Sequence, residues 1–312
     1  MLKLQLINES EYSSLFLNEE RHYPEFLDNI KETVSSCIFD SIDDMVKRHS
    51  FKEMFTIPIE CDYADRITVD VTLNQNGDIH NSKEYGVYYM NTDSKLVNGK
   101  INNPKIIISM PIDGYKTDYM LTRYRIAHEL THLYDDWNAI RNGNGPLCTN
   151  PVNANTTSFI EWAIQLDNTI EQDLATLSYM SLKTEQQAFL SHTIQELETL
   201  GCTWANYKKF IDKTTLYKNV HLSYYSLLDK LKTANKSELE RINRQIVTNF
   251  PNASIPKMKS IPFSQHVYKD KLLKWADRLH HNIMKRYGSV ISYYIDKSKR
   301  EHYKKFPSFI TK

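Results

Sequence analysis

The chain has 312 residues, enough to bury one large core or two smaller ones, and at 41% hydrophobic, 12% aromatic and 25% charged it has the composition of a folded protein. Only 8 glycines and 10 prolines occur, which excludes a low-complexity or collagen-like chain and favours a helix-rich one. The formal net charge of +1 hides a division: residues 203–312 carry 23 Lys and Arg against 8 Asp and Glu, or +15, which leaves 16 against 30, or −14, for residues 1–202.

A segment as basic as residues 203–312 attracts nucleic acid, anionic surfaces or an acidic protein partner; alternatively it docks on the acidic part of its own chain. The start, MLKLQLINESEYSS, turns polar after a few residues and lacks the apolar run of a secretory signal, and no stretch has the uncharged length that a bilayer crossing needs. A cytoplasmic protein with no membrane contact is expected, or a virion protein if the chain is phage-encoded. Cys37, Cys61, Cys148 and Cys202 are widely spaced and form no CxxC pair, so free thiols are expected. Asn155-Thr156-Thr157 is a formal glycosylation sequon that means little without a secretory route.

Residues 10–49 read as one or two helices, with Phe26, Ile30, Val34, Ile38 and Ile42 recurring every four residues. The period then shortens. FTIPIECDY (55–63) and RITVDVTLN (66–74) alternate apolar and polar residues as half-buried strands do, and Asn76-Gly77 signals a turn. EYGVYYMN (84–91) and KIIISMP (105–111) continue as strands, the second apolar enough to lie inside a sheet. From about Asp118 to Ile140 the pattern is helical, with Met120, Tyr124, Ala127, Leu130, Tyr134 and Trp137 on one stripe, and RNGNGP ends it.

A polar loop is expected over residues 142–157 and a second helix from 158 to about 182, carrying Phe159, Ala163, Leu166, Ile170, Leu174 and Leu177 on one face. Thr184 and Gln187 have capping-box spacing, which predicts a third helix from there to Gly201. Further helices follow, broken at NFPNASIP (249–256). No Walker loop, dinucleotide glycine fingerprint or GxSxG elbow is present.

Within RIAHELTHLYDDW (125–137), His128 and His132 stand four residues apart. On a helix such residues are rotated by about 40° and separated by about 6 Å along the axis, so both imidazoles project from one face. Two imidazoles so placed can hold one Zn²⁺, each nitrogen at about 2 Å. Glu129 stands beside the pair, as suits a carboxylate that takes a proton from the water that zinc acidifies. The bland alternative is an exposed helix face that carries two histidines.

Ile126-Ala127-His128-Glu129-Leu130-Thr131-His132 resembles the active-site helix of the zincin metallopeptidases, and HELTH is a form of it common among the gluzincins. The resemblance spans roughly residues 51–200. It implies an α+β zincin-like core, in which a small twisted sheet is followed by the motif helix and a third-ligand helix. It also implies zinc-dependent hydrolysis of a peptide or protein substrate, with His128 and His132 as ligands and Glu129 as general base. HELTHLYDDWN lacks the Gly and third His of the metzincin extension, so the third ligand comes from farther along. Gluzincins supply it as ExxA, and Glu185-Gln186-Gln187-Ala188 fits, although Glu185 also suits a first-turn carboxylate favoured by the helix dipole. Glu161 and Glu171 are expected off the apolar face of their helix.

Supporting roles fall to Asp173 and Asp136, each placed to accept the outer N–H of a ligand histidine, and to His192, which either steadies the oxyanion or is a surface histidine. His280-His281 reads as part of an exposed basic helix. Three segments are thus expected: a helical 1–50, a metallopeptidase core over 51–202 and a basic helical 203–312. A rival reading is a structural or binding component of an assembly such as a phage particle, which keeps the fold without a proteolytic role.

Overall fold

The computed structural model describes residues 26–74, 86–90, 95–112, 119–146, 151–259 and 262–305. Residues 10–25 of the expected first helix, the turn at Asn76-Gly77 and Cys148 lie outside them. Helix α1, Phe26–Lys47, buries Ile30, Val34, Ile38, Ile42 and Met45 along one stripe, and His49 in left-handed backbone (φ 53°) turns the chain out of it.

Strands β1 (Lys52–Pro58), β2 (Arg66–Asn74), β3 (Gly86–Met90) and β6 (Lys105–Pro111) form one mixed sheet in the order β1-β2-β6-β3. β1 pairs antiparallel with β2, β2 parallel with β6, and β3 antiparallel with β6. Burial alternates along β2 (Ile67, Val69, Val71, Leu73) and β6 (Ile106, Ile108, Met110). KIIISMP is therefore central in strand order but has only one covered face, the other being half-exposed. The short strands β4 (Leu96–Val97) and β5 (Lys100–Ile101) form a separate hairpin. Its turn is Asn98-Gly99, both at positive φ (54° and 80°) as a type I′ turn demands, and Trp137 donates its indole N–H to the Gly99 carbonyl at 2.9 Å.

Helix α2, Tyr119–Arg141, runs where the motif predicts a helix. The next stretch differs from expectation in two respects. Helix α3, Pro151–Ala163, begins within the segment expected to be a loop. The expected long helix 158–182 is interrupted after Ala163, and α4 spans Ile170–Ser181. Asn168 in left-handed backbone (φ 51°) breaks the chain, and Thr169 restarts it by accepting from the Gln172 N–H at 3.1 Å, while Gln172 Oε1 accepts from Asn168 N at 3.0 Å. The working capping box is thus Thr169/Gln172; α5, Lys183–Thr199, has Leu182 as its N-cap, so Thr184 lies inside the first turn.

After two 3₁₀ turns (Tyr207–Lys209 and Ile211–Lys213) come α6 (Thr215–Thr233), α7 (Lys236–Asn249) and the 41-residue α8 (Gln265–Lys305). The NFPNASIP segment separates α7 from α8 as expected. Asn243 holds it there, donating to the Met258 carbonyl at 2.8 Å and accepting from the Met258 N–H at 2.7 Å.

The result is an α+β chain with a small mixed sheet and two apolar cores. One core joins α1, the sheet and α2; the other runs through α3–α8. Within the second core, α4 and α5 share their apolar side with α6 and α8. Ion pairs cross from the basic part to the acidic part, Lys230 to Asp173 at 2.7 Å and Arg241 to Glu171 at 2.8 Å among them. Glu171 is accordingly buried at 1% exposure, contrary to the expectation that it falls off the buried face. Cys37, Cys61 and Cys202 are free thiols. No helix among the described residues is long and apolar enough to cross a membrane.

Ile108 is fully buried in the central strand β6. Ile108→Ala should lower the unfolding free energy by about 2–5 kcal/mol, measured by urea denaturation followed by circular dichroism.

Candidate metal centre

Helix α2 is buried on two sides. Ile126, Leu130 and Leu133 belong to the sheet-side core, whereas Ala127, His128 and Thr131 are buried without being part of an apolar stripe. Thr131 Oγ donates to the Ala127 carbonyl at 3.0 Å and meets Ser191 Oγ of α5 at 2.8 Å, which identifies α5 as the element covering this second side. Small side chains bring the helices together there. Ala127 and Ala188 are 3% and 0% exposed, one turn from Thr131 and Ser191 respectively.

The close approach carries Glu185, in the first turn of α5, onto the two histidines. His128 Nε2 lies 3.1 Å from Glu185 Oε2 and His132 Nε2 lies 3.5 Å from Glu185 Oε1. One ligand atom from each of the three residues can be chosen so that all lie within 4.8 Å of one another. The imidazole centroids are 4.9 Å apart with planes at 83°, and the Phe189 ring packs edge-on to His128 at 4.8 Å. Side-chain exposures of 7%, 16% and 13% for His128, His132 and Glu185 rule out an exposed helix face with two incidental histidines.

Glu129 lies close enough to feel the charges of His128 and Glu185 but is held from another side. Its Oε2 accepts the backbone N–H of Tyr89, on β3, at 2.8 Å. β3 pairs only with β6 among the described residues, so Glu129 sits against its outer edge. From α4, the Tyr179 hydroxyl approaches Glu185 and helps to lower that carboxyl.

The electrostatics follow from burial and from these contacts. Burial lifts the Glu129 carboxyl to about 7, against the opposing pull of the His128 charge and the Tyr89 N–H. Burial drives His132 down to about 4, helped by the charge on His128. For His128, burial acts downward, but the hydrogen bond to Glu185 and the charges of Glu129 and Glu185 outweigh it and its pKa rises. Burial would raise Glu185; the His128 hydrogen bond and the two imidazole charges overcome that and lower it.

The remaining expected residues divide. Asp136 is 3% exposed, one turn beyond His132. His192 is not on the surface but buried at 4%, between Tyr124 (centroids 5.4 Å) and Phe189 (6.1 Å), and its Nε2 faces Glu196 Oε1 at 3.5 Å. Glu196 in turn accepts from the backbone N–H of Thr215 at 2.9 Å, holding the start of α6. Asp173 does not serve a ligand histidine: its Oδ2 accepts from Lys230 at 2.7 Å and from Ser226 Oγ at 2.9 Å, because the buried side of α4 that carries it faces α6. Tyr89, Tyr179 and Phe189 complete the site without any signal in the motif; each sits in an ordinary apolar pattern and becomes local only through the packing of β3, α4 and α5. Compared with known proteins, the chain matches no family model, no curated protein and no solved structure.

A carboxyl whose folded pKa lies above its unfolded value stabilises the fold below the unfolded value, and that contribution is lost as pH rises through the folded one. In metal-free protein, Glu129→Gln should therefore match the parent in stability near pH 4 and exceed it at pH 8, by up to about 3 kcal/mol. Melting curves of both proteins across that range test this. A difference that does not vary with pH counts against a buried, neutralised Glu129.

Proposed function

We propose that this protein is a zinc-dependent peptidase of the zincin type, with His128, His132 and Glu185 holding the metal and Glu129 acting as general base. The observation that carries the reading is the convergence of two imidazole nitrogens and one carboxylate from separate helices, with a second, protonatable carboxylate beside them. The donor set fits the ion. Bonds of about 2.0–2.2 Å at tetrahedral angles place neighbouring donors roughly 3.3–3.5 Å apart, and the histidine-to-carboxylate separations here are 3.1 and 3.5 Å. Three protein ligands leave a coordination position open, which is the pattern of catalytic rather than structural zinc. Bound there, the ion would supply Lewis-acid polarisation and acidify water.

The protein's own groups account for the rest. Glu129, the carboxylate beside the ligands, would take a proton from an attacking water and return it to the leaving amine. Its hydrogen bond to Tyr89 N holds it at the outer edge of β3. Phe189 packs edge-on against the His128 ring, and Tyr179 stands beside the Glu185 carboxylate.

Purified protein should contain one zinc per chain, and His128→Ala, His132→Ala and Glu185→Ala should each lose it by elemental analysis. Glu129→Gln should keep the metal while hydrolysis of a mixed peptide library falls about 10²–10⁴-fold. A chain without zinc, or turnover undiminished in Glu129→Gln, would refute the assignment. Tyr179→Phe should weaken zinc binding about 10–100-fold, measured by competition with a chromogenic chelator.

A further inference from the structure

Part of the basic surplus of residues 203–312 faces solvent among the described residues. Lys230 and Arg241 pair with the acidic half, while Lys232 with Asp229 and Arg244 with Glu240 form local pairs. On α8 the distribution is one-sided. Leu272, Ala276, Ile283 and Tyr287 are buried in the helical core, and the opposite face exposes Lys271, Lys274, Arg278, His281 and Lys285. Steps of three and four residues keep these five within about 80° of one another around the helix, along a line of about 21 Å. Among the described residues, Lys274 meets Asp270 at 2.8 Å, whereas Lys271, Arg278 and Lys285 have no carboxylate partner. Asp277, at the edge of the stripe, accepts from the Tyr224 hydroxyl at 2.6 Å.

We infer that this face of α8 binds double-stranded nucleic acid through its phosphates. A rigid rod with four Lys and Arg over about 21 Å presents its charge to a rigid line of backbone phosphates and releases their counterions, and that release drives sequence-independent binding. The stripe carries no Trp, Tyr, Phe or other large apolar side chain. It therefore lacks the stacking platforms that single strands require, the anchor residues of a protein interface and the apolar face of a membrane-surface helix. The inference goes beyond the hydrolase reading and is independent of it, since no residue of the stripe belongs to the metal centre.

The test uses the full chain and a random-sequence 25-base-pair DNA duplex in fluorescence anisotropy titrations. Four lysine and arginine contacts predict a slope of log K against log salt near −3.6 and a loss of about 100-fold in affinity between 50 and 200 mM salt. The variant Lys271→Gln/Arg278→Gln/Lys285→Gln should flatten the slope by about 3 while peptide hydrolysis and the circular dichroism spectrum stay unchanged. Should that triple variant misfold, single substitutions serve, each expected to remove about 1 from the slope. Absence of binding at 50 mM salt, an unchanged slope in the variants, or tighter binding of single strands, polyglutamate or phosphatidylserine vesicles than of the duplex would overturn the inference.

Discussion

The architecture turns on how closely α2 and α5 approach. Histidine is a short ligand and glutamate a moderately long one, so a shared ion demands helices whose backbones are nearer than leucine-on-leucine packing allows. Ala127 and Thr131 on one side, and Ala188 and Ser191 on the other, remove the bulk that would hold them apart. The Thr131–Ser191 hydrogen bond satisfies the hydroxyls that such small polar residues bring with them. Without that approach, two nearly buried imidazoles would face hydrocarbon, an arrangement that is costly unless each finds a partner.

The same burial sets the charge balance. Of four titratable groups gathered in one space, two are pushed away from their charged forms, Glu129 to about 7 and His132 to about 4, while His128 and Glu185 favour theirs by facing each other at 3.1 Å. Such a separation of neighbouring carboxylates, one held charged and the other near neutrality, is how a single pocket supplies both a ligand and a proton acceptor. The distinction arises from placement. Glu185 meets imidazoles, whereas Glu129 meets one backbone N–H and is otherwise desolvated.

Much of this was legible in the sequence where a short-range rule decides it. Period-2 alternation located β2 and β6, the 3.6-residue stripe located α1 and α2, and four-residue spacing put His128 and His132 on one face. Glu185 was reachable only through a resemblance, because 57 residues separate it from His128 and no local pattern encodes a contact of that range. Asp173 shows the converse. A carboxylate on a buried face needs a partner, but the sequence does not say which, and Lys230 and Ser226 supply it in place of a histidine. The break at Asn168 and Thr169 and the Asn98-Gly99 turn were both written in local residues that other signals of the same kind, at Thr184 and Asn76, overshadowed.

The site also ties the two cores to one another. Its histidines are carried by the helix that closes the sheet-side core, and Glu185 by one that belongs to the helical core. The orientation of α5 therefore depends on what lies beneath it. Glu196 holds the start of α6, and Tyr294 of α8 donates to the Cys202 carbonyl just past the end of α5 at 2.8 Å. α4, which brings Tyr179, is fixed to α6 and α7 through Asp173–Lys230 and Glu171–Arg241. The basic region is thus part of the framework that positions Glu185, with its inner face packed beneath α4 and α5. A chain cut after residue 202 would keep both histidines and the glutamate in its sequence yet lose the packing that makes them converge.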